Sequence, residues 1–235
     1  MELKGKKALV FGGTSGIGLA TTLGLAERGA EVIAISRNPE RAGNDLPNGV
    51  SLKGCDVRDR EALEALFAEC APFDVLVNAA TGGDRAFGPF MEMDLDGFRG
   101  SFDKLWGYAN TMRLGIGHLS DDGAAVLVSG TPARRTKPGQ IALGAVGGAV
   151  EAFVRALAAE IAPKRINVVA PGVIDTPMFG PDSEQRSNQL ANATAGHPIP
   201  RPGKAEEVAK GILFVIENDF VTGTTIDVDG GWLLS

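Results

Sequence analysis

Cysteine is scarce in this 235-residue sequence, which contains only Cys55 and Cys70. The two thiols have no metal-ligand spacing and no further partners, so no metal site is predicted. Reduced thiols in a cytoplasmic protein are therefore the expectation.

Long apolar runs are also missing. No segment is predicted to be long enough to span a bilayer. The start of the chain, 1–7, is charged, and the apolar run after it ends at a glycine after four residues, which is unlike a secretory signal. The sequence predicts no membrane association.

Positive charge is not in excess. The chain has 23 Lys and Arg against 29 Asp and Glu, a formal net charge of −6, which argues against a nucleic-acid partner. The basic cluster Arg134, Arg135 and Lys137 is too short to reverse this conclusion. It either flanks a pocket or is solvated.

What the sequence does contain is a regular alternation of strand and helix patterns. Apolar or β-branched runs predict strands at 8–11, 31–36, 51–53, 74–78, 124–129, 166–170 and 224–228. Helical patterns begin at Ile17 and Asp59 and cover 95–118, 141–161 and 205–216. The alternation predicts an α/β domain, 1–235, with a parallel sheet covered on both faces.

Two stretches stand out within this pattern. Glycines crowd the turn after the first strand, at Gly12, Gly16 and Gly18, where a tight turn and a helix N-terminus would suit a pyrophosphate. Glycine also serves ordinary tight turns, so the motif alone is weak. The second stretch, 173–203, holds five prolines and little periodicity, and it predicts a lid over a binding site.

Further short motifs follow the glycine loop in order. They are Asp56-Val57, Asn78-Ala79-Ala80, Pro171-Gly172 with Thr176, Thr222-Gly223 and Asp227–Gly231. In this order they resemble the signatures of the classical short-chain dehydrogenase/reductase family over essentially the whole chain. Phe11 departs from the pattern, because threonine is usual there. The resemblance implies a single-domain Rossmann-like, doubly wound parallel sheet.

The resemblance also implies where a dinucleotide would bind. The family uses the glycine loop for the phosphates, the Asp-Val pair for the adenine, the end of the fourth strand beside the cofactor, and the stretch before the lid for the nicotinamide. The expected cofactor-binding residues are Gly12, Thr14, Ser15, Gly16, Ile17, Gly18, Ser36, Arg37, Asp56, Val57, Asn78, Ala79, Ala80, Pro171, Gly172, Val173 and Thr176.

The end of the second strand indicates which dinucleotide binds. An acidic residue there hydrogen-bonds the ribose 2′-hydroxyl of NAD, whereas an arginine accommodates the 2′-phosphate of NADP. This chain has Ser36-Arg37 at that point and no carboxylate. NADP(H) is therefore favoured, with NAD(H) as the alternative if Arg37 is only a solvated turn residue.

The family's catalytic groups are missing at the matching positions. The family uses a tyrosine that moves a proton, a lysine that lowers the tyrosine pKa, a serine that orients the carbonyl and an asparagine that holds a water. By spacing these positions fall on Leu143, Gly147, Gly130 and, with a less certain register, Lys104. Losing a general acid costs about 10²–10⁴ in rate, so the usual mechanism is excluded if the register is right.

Tyr108 is the only tyrosine, and it could replace the missing acid. Lys104 lies four residues before it, so on a helix the two side chains share one face, as an acid and its cationic neighbour would. The alternative, which is favoured, is a tyrosine on a helix face with a solvated lysine.

Other polar groups near the expected site have simpler roles available. Ser129 and Thr131 flank Gly130 and either donate a hydrogen bond to substrate or satisfy backbone groups. Arg134 and Arg135 either bind an anionic substrate or are solvated. His118 suits a helix C-terminal contact, and His197 in the lid is the better titratable candidate.

Two functions from different classes remain open. The first is an oxidoreductase acting on an acceptor that needs little proton assistance, such as an iminium, a quinone or a polarised enone. The second is an inactive NADP(H)-binding sensor, scaffold or subunit partner, with no substrate. Both predict a homodimer or homotetramer, because the family pairs its long helix and small-residue helix across two-fold axes.

Overall fold

A seven-stranded parallel sheet forms the centre of the molecule. The computed structural model describes residues 1–43, 45–81 and 85–235. Its strands are β1 (Lys7–Phe11), β2 (Glu31–Ser36), β3 (Val50–Gly54), β4 (Phe73–Asn78), β5 (Leu119–Val128), β6 (Arg165–Pro171), β7 (Ile174–Asp175), β8 (Gly203–Lys204) and β9 (Thr225–Val228). The sheet order is β3-β2-β1-β4-β5-β6-β9, and β7 pairs with β8 separately. The predicted α/β, doubly wound parallel sheet is confirmed.

Helices cover both faces of the sheet. They are α1 (Gly16–Glu27), α2 (Arg60–Cys70), α3 (Leu95–Ser101), α4 (Asp103–Gly115), α5 (Ile141–Glu160), α6 (Glu184–Thr194) and α7 (Ala205–Glu217). Side chains alternate along each strand, so Leu9 and Phe11 of β1 pack in the core that contains α2, α4 and α5. Ala8 and Val10 pack in the opposite core, with α1 and α7. The central strand segments 8–11, 32–35, 75–77 and 124–128 are apolar because both faces of the sheet are buried there.

The long helix predicted over 95–118 is divided. It breaks at Phe102 between α3 and α4, and α4 ends at Gly115 before a short 3-10 turn, Ile116–His118. The Ser101 hydroxyl donates to the Gly97 carbonyl at 3.0 Å and accepts from the Ala86 N–H at 2.9 Å. This side chain ties the helix end to the preceding loop, at a point where glycines already weaken the helix.

The predicted lid, 173–203, contains regular structure. Helix α6 begins after Ser183, whose hydroxyl accepts a hydrogen bond from the Arg186 N–H at 3.1 Å as an N-cap. Leu190 and Thr194 are its buried anchors on an otherwise polar helix. Hydrophobic periodicity missed α6 because so few of its residues are apolar.

Helix α5 differs from the prediction that no segment is long enough to span a membrane. By length and composition its 20 residues could span a membrane, although no such segment was predicted. Val146, Val150 and Val154 are buried on one face of α5, and they pack toward the sheet beside β6. A helix that covers a parallel sheet is apolar for this reason, and α5 has that position here.

Candidate cofactor and substrate site

The glycine loop brings three backbone segments together without room for side chains. A Cβ at Gly18 would lie 1.9 Å from the Gly12 carbonyl oxygen, and one at Gly12 would lie 2.9 Å from the backbone of Ala79 and Ala80. Gly12 also has φ +75°, a left-handed value that suits glycine. The end of β1 therefore packs directly on the start of α1 and on the end of β4.

The start of α1 has the features of an anion site. The helix begins at Gly16, its first turn holds no acidic residue, and the Ser15 side chain makes no cap hydrogen bond. The first N–H groups of a helix lack intrahelical acceptors and carry partial positive charge. With the close backbone approach at Gly12 and Gly18, this cradle fits the phosphates of a dinucleotide.

One cleft of about 1320 Å³ runs along the carboxyl ends of the strands. It is lined by all but one of the residues predicted to bind the cofactor, namely Gly12, Thr14, Ser15, Gly16, Ile17, Gly18, Ser36, Arg37, Asp56, Val57, Ala79, Ala80, Pro171, Gly172, Val173 and Thr176. The same cleft contains the four family positions Lys104, Gly130, Leu143 and Gly147. Tertiary structure thus joins the predicted dinucleotide residues and the positions predicted to match the family's catalytic residues in one space, as expected at the carboxyl edge of such a sheet.

Asn78 is the exception, because it does not line the cleft. Its side chain is fully buried, its Nδ2 donates to the Thr111 hydroxyl at 2.9 Å, and its Oδ1 accepts from the Ala80 N–H at 3.0 Å. Asn78 shapes the turn that carries Ala79 and Ala80 to the cleft. It is a positioning residue in this structure.

Two arginines lie at the end of the cleft beside β2. Arg37 is exposed and lines the cleft, and Arg41 lines it as well. The Thr14 hydroxyl donates to the Ser36 hydroxyl at 2.9 Å, which connects the glycine loop to this end. Sequence analysis missed Arg41, because it lies beyond the motif at the strand end.

Asp56, at the same end, is held as a carboxylate. Hydrogen bonds from Arg58 lower the pKa of the Asp56 carboxyl, and the charge of Arg37 adds to the effect. The side chain is thereby fixed beside Val57 at the wall of the cleft.

The three small or apolar family positions differ in the space around them. A Cβ at Gly130 would have its nearest neighbour, Pro132 Cδ, at 3.5 Å, so this position has room for a side chain. A Cβ at Gly147 would lie 3.0 Å from the Ala133 Cβ, which is a tight contact. Glycine at 147 thus lets α5 approach the Thr131–Ala133 turn closely. Neither glycine nor Leu143 can donate a proton.

Tyr108 is separated from the cleft. Its ring is 1% exposed, its hydroxyl donates to the Val128 carbonyl at 3.0 Å, and burial raises the pKa of its phenol well above the usual range. Tyr108 does not line the cleft. The pairing of Lys104 and Tyr108 on one helix face is present, with the ammonium 5.5 Å from the ring centroid, but the phenol proton is directed at the sheet.

Lys104 itself reaches the cleft. Its Nζ donates to the Ser129 carbonyl at 3.1 Å, one residue before Gly130. Burial, and then the charge of Arg85, lowers the pKa of Lys104 to about 7. Arg85 is a second cation in the cleft wall, and its Nη1 lies 3.0 Å from the Met178 sulfur in the predicted lid. Sequence analysis missed Arg85, since nothing local marks the loop that brings it to the cleft.

The polar groups on either side of Gly130 bind other parts of the protein. The Thr131 hydroxyl donates to the Pro171 carbonyl at 3.0 Å. The Ser129 hydroxyl donates to the buried Glu151 carboxylate at 3.2 Å, and Arg134 lies 3.4 Å from the same carboxylate. These contacts connect β5, α5 and β6, so both hydroxyls have structural partners, although Ser129 also borders the cleft.

The two arginines of the basic cluster, Arg134 and Arg135, bind other parts of the chain, whereas Lys137 of the same cluster lines the cleft. Arg134 also binds Asp227 in β9 through two nitrogens. Arg135 donates to the carbonyls of Trp232 and Leu233. Both arginines tie the loop after β5 to the C-terminal segment, a role that only the tertiary structure reveals.

The two histidines lie away from the cleft lining. His197 is buried, its ring centroid is 5.6 Å from that of Trp232, and burial lowers the pKa of its imidazole. His118 stacks on Phe67 at a centroid distance of 6.4 Å. Trp232, by contrast, does line the cleft.

The remaining wall of the cleft combines apolar and cationic side chains with neutral polar ones, among them Ser101, Gln140 and Gln189. Its apolar members are Phe87, Leu143, Val146, Met178, Phe179, Leu190 and Trp232. Its cations beyond the adenine end are Arg85, Lys104 and Lys137, with the Lys137 ammonium 5.0 Å from the Trp232 ring centroid. Among the described lining residues Asp56 is the only carboxylate. Within 1–43, 45–81 and 85–235 no group of three His, Cys, Asp or Glu could hold a metal ion.

Comparison with known proteins gives a consistent assignment. A family model described as enoyl-(acyl carrier protein) reductase matches residues 12–233. Carbonyl reductase family member 4 of Danio rerio is 34% identical, over 95% of this chain and 96% of that protein. The 3-oxoacyl-[acyl-carrier-protein] reductase FabG of Thermotoga maritima is 34% identical over the full length of both chains.

A solved structure adds a further likeness. An NADPH-bound short-chain oxidoreductase of Pseudomonas aeruginosa PAO1, which contains an atypical catalytic center, is 31% identical with a TM-score of 0.87. The match covers 97% of this chain and 96% of that one.

Fold and cleft together define a doubly wound dinucleotide-binding domain. With these matches over nearly its whole length, the chain belongs to the short-chain dehydrogenase/reductase family.

Proposed function

We propose that this chain is an NADP(H)-dependent oxidoreductase that reduces an activated acceptor without the family's Ser-Tyr-Lys relay. The observation that carries the proposal is the single cleft, in which the predicted dinucleotide residues continue into an apolar wall with three cations. A protein that only binds a dinucleotide has no need of this apolar and cationic part of the cleft. The fold alone does not indicate that a substrate is converted, because one fold can have many functions. The cleft does indicate it, because its wall can hold a substrate beside the cofactor.

The cofactor proposal rests on the residues of the cleft. Gly12, Gly16 and Gly18 would hold the phosphates, and Arg37 with Arg41 would bind the 2′-phosphate that distinguishes NADP from NAD. When bound, the nicotinamide would supply a hydride. The NADPH-bound relative from Pseudomonas aeruginosa supports the same choice. Isothermal calorimetry should show tighter binding of NADP(H) than of NAD(H), and the reverse order would overturn the assignment.

The positive charge of the cleft wall limits the class of acceptor that the site favours. The pocket cations Arg85, Lys104 and Lys137 repel a cationic iminium, whereas they stabilise negative charge on the oxygen of a quinone or a polarised enone during reduction. The apolar members of the wall suit an acceptor with an extended ring or chain. We therefore place quinones and polarised enones before iminium compounds.

The test is a screen of acceptors that follows the absorbance of NADPH. Quinones and enones should be reduced faster than simple ketones or iminium compounds, and NADH should be the poorer donor. Spontaneous oxidation is measured with Gly18→Ala, in which the cofactor cradle is closed. NADPH binding without consumption in any acceptor class would favour the alternative function, an inactive sensor, scaffold or subunit partner.

We also infer that the chain forms a homo-oligomer. Leu95 and Trp106, on α3 and α4, are 68% and 65% exposed, and Ile141 at the start of α5 is 39% exposed. Large apolar side chains on neighbouring helices are typical of a subunit contact. Light scattering should show a dimer or tetramer, and Trp106→Glu should shift it toward the monomer. A wild-type monomer at micromolar concentration would refute this inference.

A further inference from the structure

We propose that Lys104 is a catalytic residue that donates a proton to the acceptor oxygen. This inference rests on the proposed function, because it assigns a role within that same reaction. The position is not one that the family uses for this step, since its proton donor falls at Leu143 in this chain.

The position of Lys104 suits contact with a substrate. Lys104 lies on α4, and its ammonium reaches the end of β5, where it donates to the Ser129 carbonyl at 3.1 Å beside Gly130. An ammonium has three N–H donors. Among the described residues the structure records this one acceptor for it, which leaves two donors for a molecule in the cleft.

The space opposite Lys104 is available because the usual catalytic side chains are absent. Gly130 carries no hydroxyl, and a Cβ there would have no neighbour nearer than 3.5 Å. Leu143 and Gly147 line the same cleft without a polar atom in their side chains. An acceptor oxygen that enters this region therefore meets no side-chain donor at 130, 143 or 147, and the Lys104 ammonium lies in the same cleft wall.

The groups packed around Lys104 favour release of its proton. Arg85, from the loop before α3, opposes a second positive charge, while Tyr108 of α4 presents its ring and directs its hydroxyl to Val128. Glu151 of α5 is bound by Ser129 and Arg134. Lys137 lies over Trp232 in another part of the wall. With the pKa of Lys104 lowered to about 7, the ammonium is a competent acid at neutral pH.

The chemistry balances with the proposed cofactor. Hydride adds to the conjugated β carbon of the enone or quinone, and the C=C π pair shifts toward the carbonyl carbon as the C=O π bond breaks. The oxygen takes the electron pair of that bond and forms an O–H bond with the proton of Lys104, which gives the enol. The electron pair of the broken N–H bond stays on Nζ as a neutral amine, which then takes a proton from water. Overall, NADPH is oxidised to NADP⁺, and the acceptor gains a hydride and a proton.

The first test compares variants in the acceptor assay across pH. Wild-type kcat/KM should fall above pH 7, because the protonated lysine is the active form. Lys104→Met should lose about 10²-fold or more in kcat, the contribution of a general acid. Lys104→Arg should lose as much kcat as Lys104→Met, because a guanidinium keeps its proton to above pH 12 and cannot donate it; a wild-type rate in this variant would mean that only the positive charge matters and would overturn proton donation. Exposed Lys210 on α7 provides the matched control, Lys210→Met, which should match wild type.

The second test needs neither cofactor nor turnover. Competitive acylation, read residue by residue by mass spectrometry, measures the fraction of neutral amine at each lysine. Lys104 should become reactive near pH 7, whereas Lys210 should do so near the ordinary lysine pKa of about 10.4. Circular dichroism and NADPH affinity of Lys104→Met establish that it is folded.

The outcomes separate the two proposals. Turnover by Lys104→Met at the wild-type rate and with an unchanged pH profile would overturn the role of Lys104 and leave the proposed function standing. The same holds if Lys104 titrates with Lys210. Wild-type protein that consumes no NADPH with any acceptor would overturn both.

Discussion

Glycine has different roles at the two ends of the cleft. At the dinucleotide end the backbone itself forms the site. Gly12 and Gly18 bring three chain segments into contact, and a side chain at either position would collide with the backbone of another segment. At the proposed catalytic end, Gly130 has room for a side chain that it lacks, whereas Gly147 lets α5 approach the Thr131–Ala133 turn closely. Glycine is therefore required by close backbone packing at Gly12 and Gly18, whereas at Gly130 the surrounding structure leaves room for a side chain. The same residue type has a structural meaning only where the surrounding backbone requires it.

The largest effect is expected from Gly18→Ala at the dinucleotide end. Its Cβ would lie 1.9 Å from the Gly12 carbonyl oxygen, so the loop or α1 must move. We expect loss of measurable NADPH binding and a fall of about 4 kcal/mol or more in the free energy of unfolding. Calorimetry and chemical denaturation measure the two effects. Gly117→Ala is the control, since its Cβ would meet nothing within 4 Å, and equal behaviour of the two variants would contradict the steric argument.

A smaller effect is expected from Arg37→Ala, which removes charge and leaves the loop intact. Because Arg37 is exposed, its contact with a 2′-phosphate should contribute modestly, and NADP(H) affinity should fall about tenfold. NAD(H) affinity should not change. Titration calorimetry with both dinucleotides measures the difference, with exposed Arg113→Ala as the charge-matched control. An unchanged preference would mean that Arg37 is a solvated turn residue.

The smallest effect on binding and turnover is expected from Tyr108→Phe, which tests the proposed catalytic end. The variant loses the hydrogen bond to the Val128 carbonyl, at a cost of about 1–2 kcal/mol in unfolding free energy, because that acceptor is buried. Turnover in the acceptor assay should be unchanged, since the phenol does not border the cleft. Denaturant unfolding and NADPH consumption are measured on the same sample. Loss of turnover with retained stability would indicate that Tyr108 takes part in the reaction.

Sequence analysis predicted the fold well because its signals are local. Apolar runs of strand length, the Asp59 cap and the ordered glycine motifs each depend on neighbouring residues. The Asp59 carboxylate indeed accepts from the Ala62 N–H at 3.0 Å. Helix α6 escaped the same analysis, because a polar helix held by Ser183 and Leu190 has almost no apolar periodicity. The break between α3 and α4 escaped it because a contact with the Ala86 backbone helps to make it.

The site was predictable only in part, for a related reason. A pattern can assign Asn78 or Tyr108 to an element, but the side that each residue faces depends on contacts from distant strands and helices. Thr111 turns Asn78 inward, and Val128 holds the Tyr108 hydroxyl. Arg41 and Arg85 had no motif to mark them. They are found at the cleft because loops from separate parts of the chain meet there.

The sequence by itself determined the doubly wound sheet, the glycine cradle and the absence of a side-chain acid at 130, 143 and 147. These depend on residue type and spacing, which are written along the chain. Only the tertiary structure decided that Tyr108 is sealed in the core while Lys104 reaches the cleft, although the two are four residues apart on one helix. The physical reason is that exposure and the pKa of a side chain depend on what packs against it, and in a folded chain those neighbours come from elsewhere in the sequence.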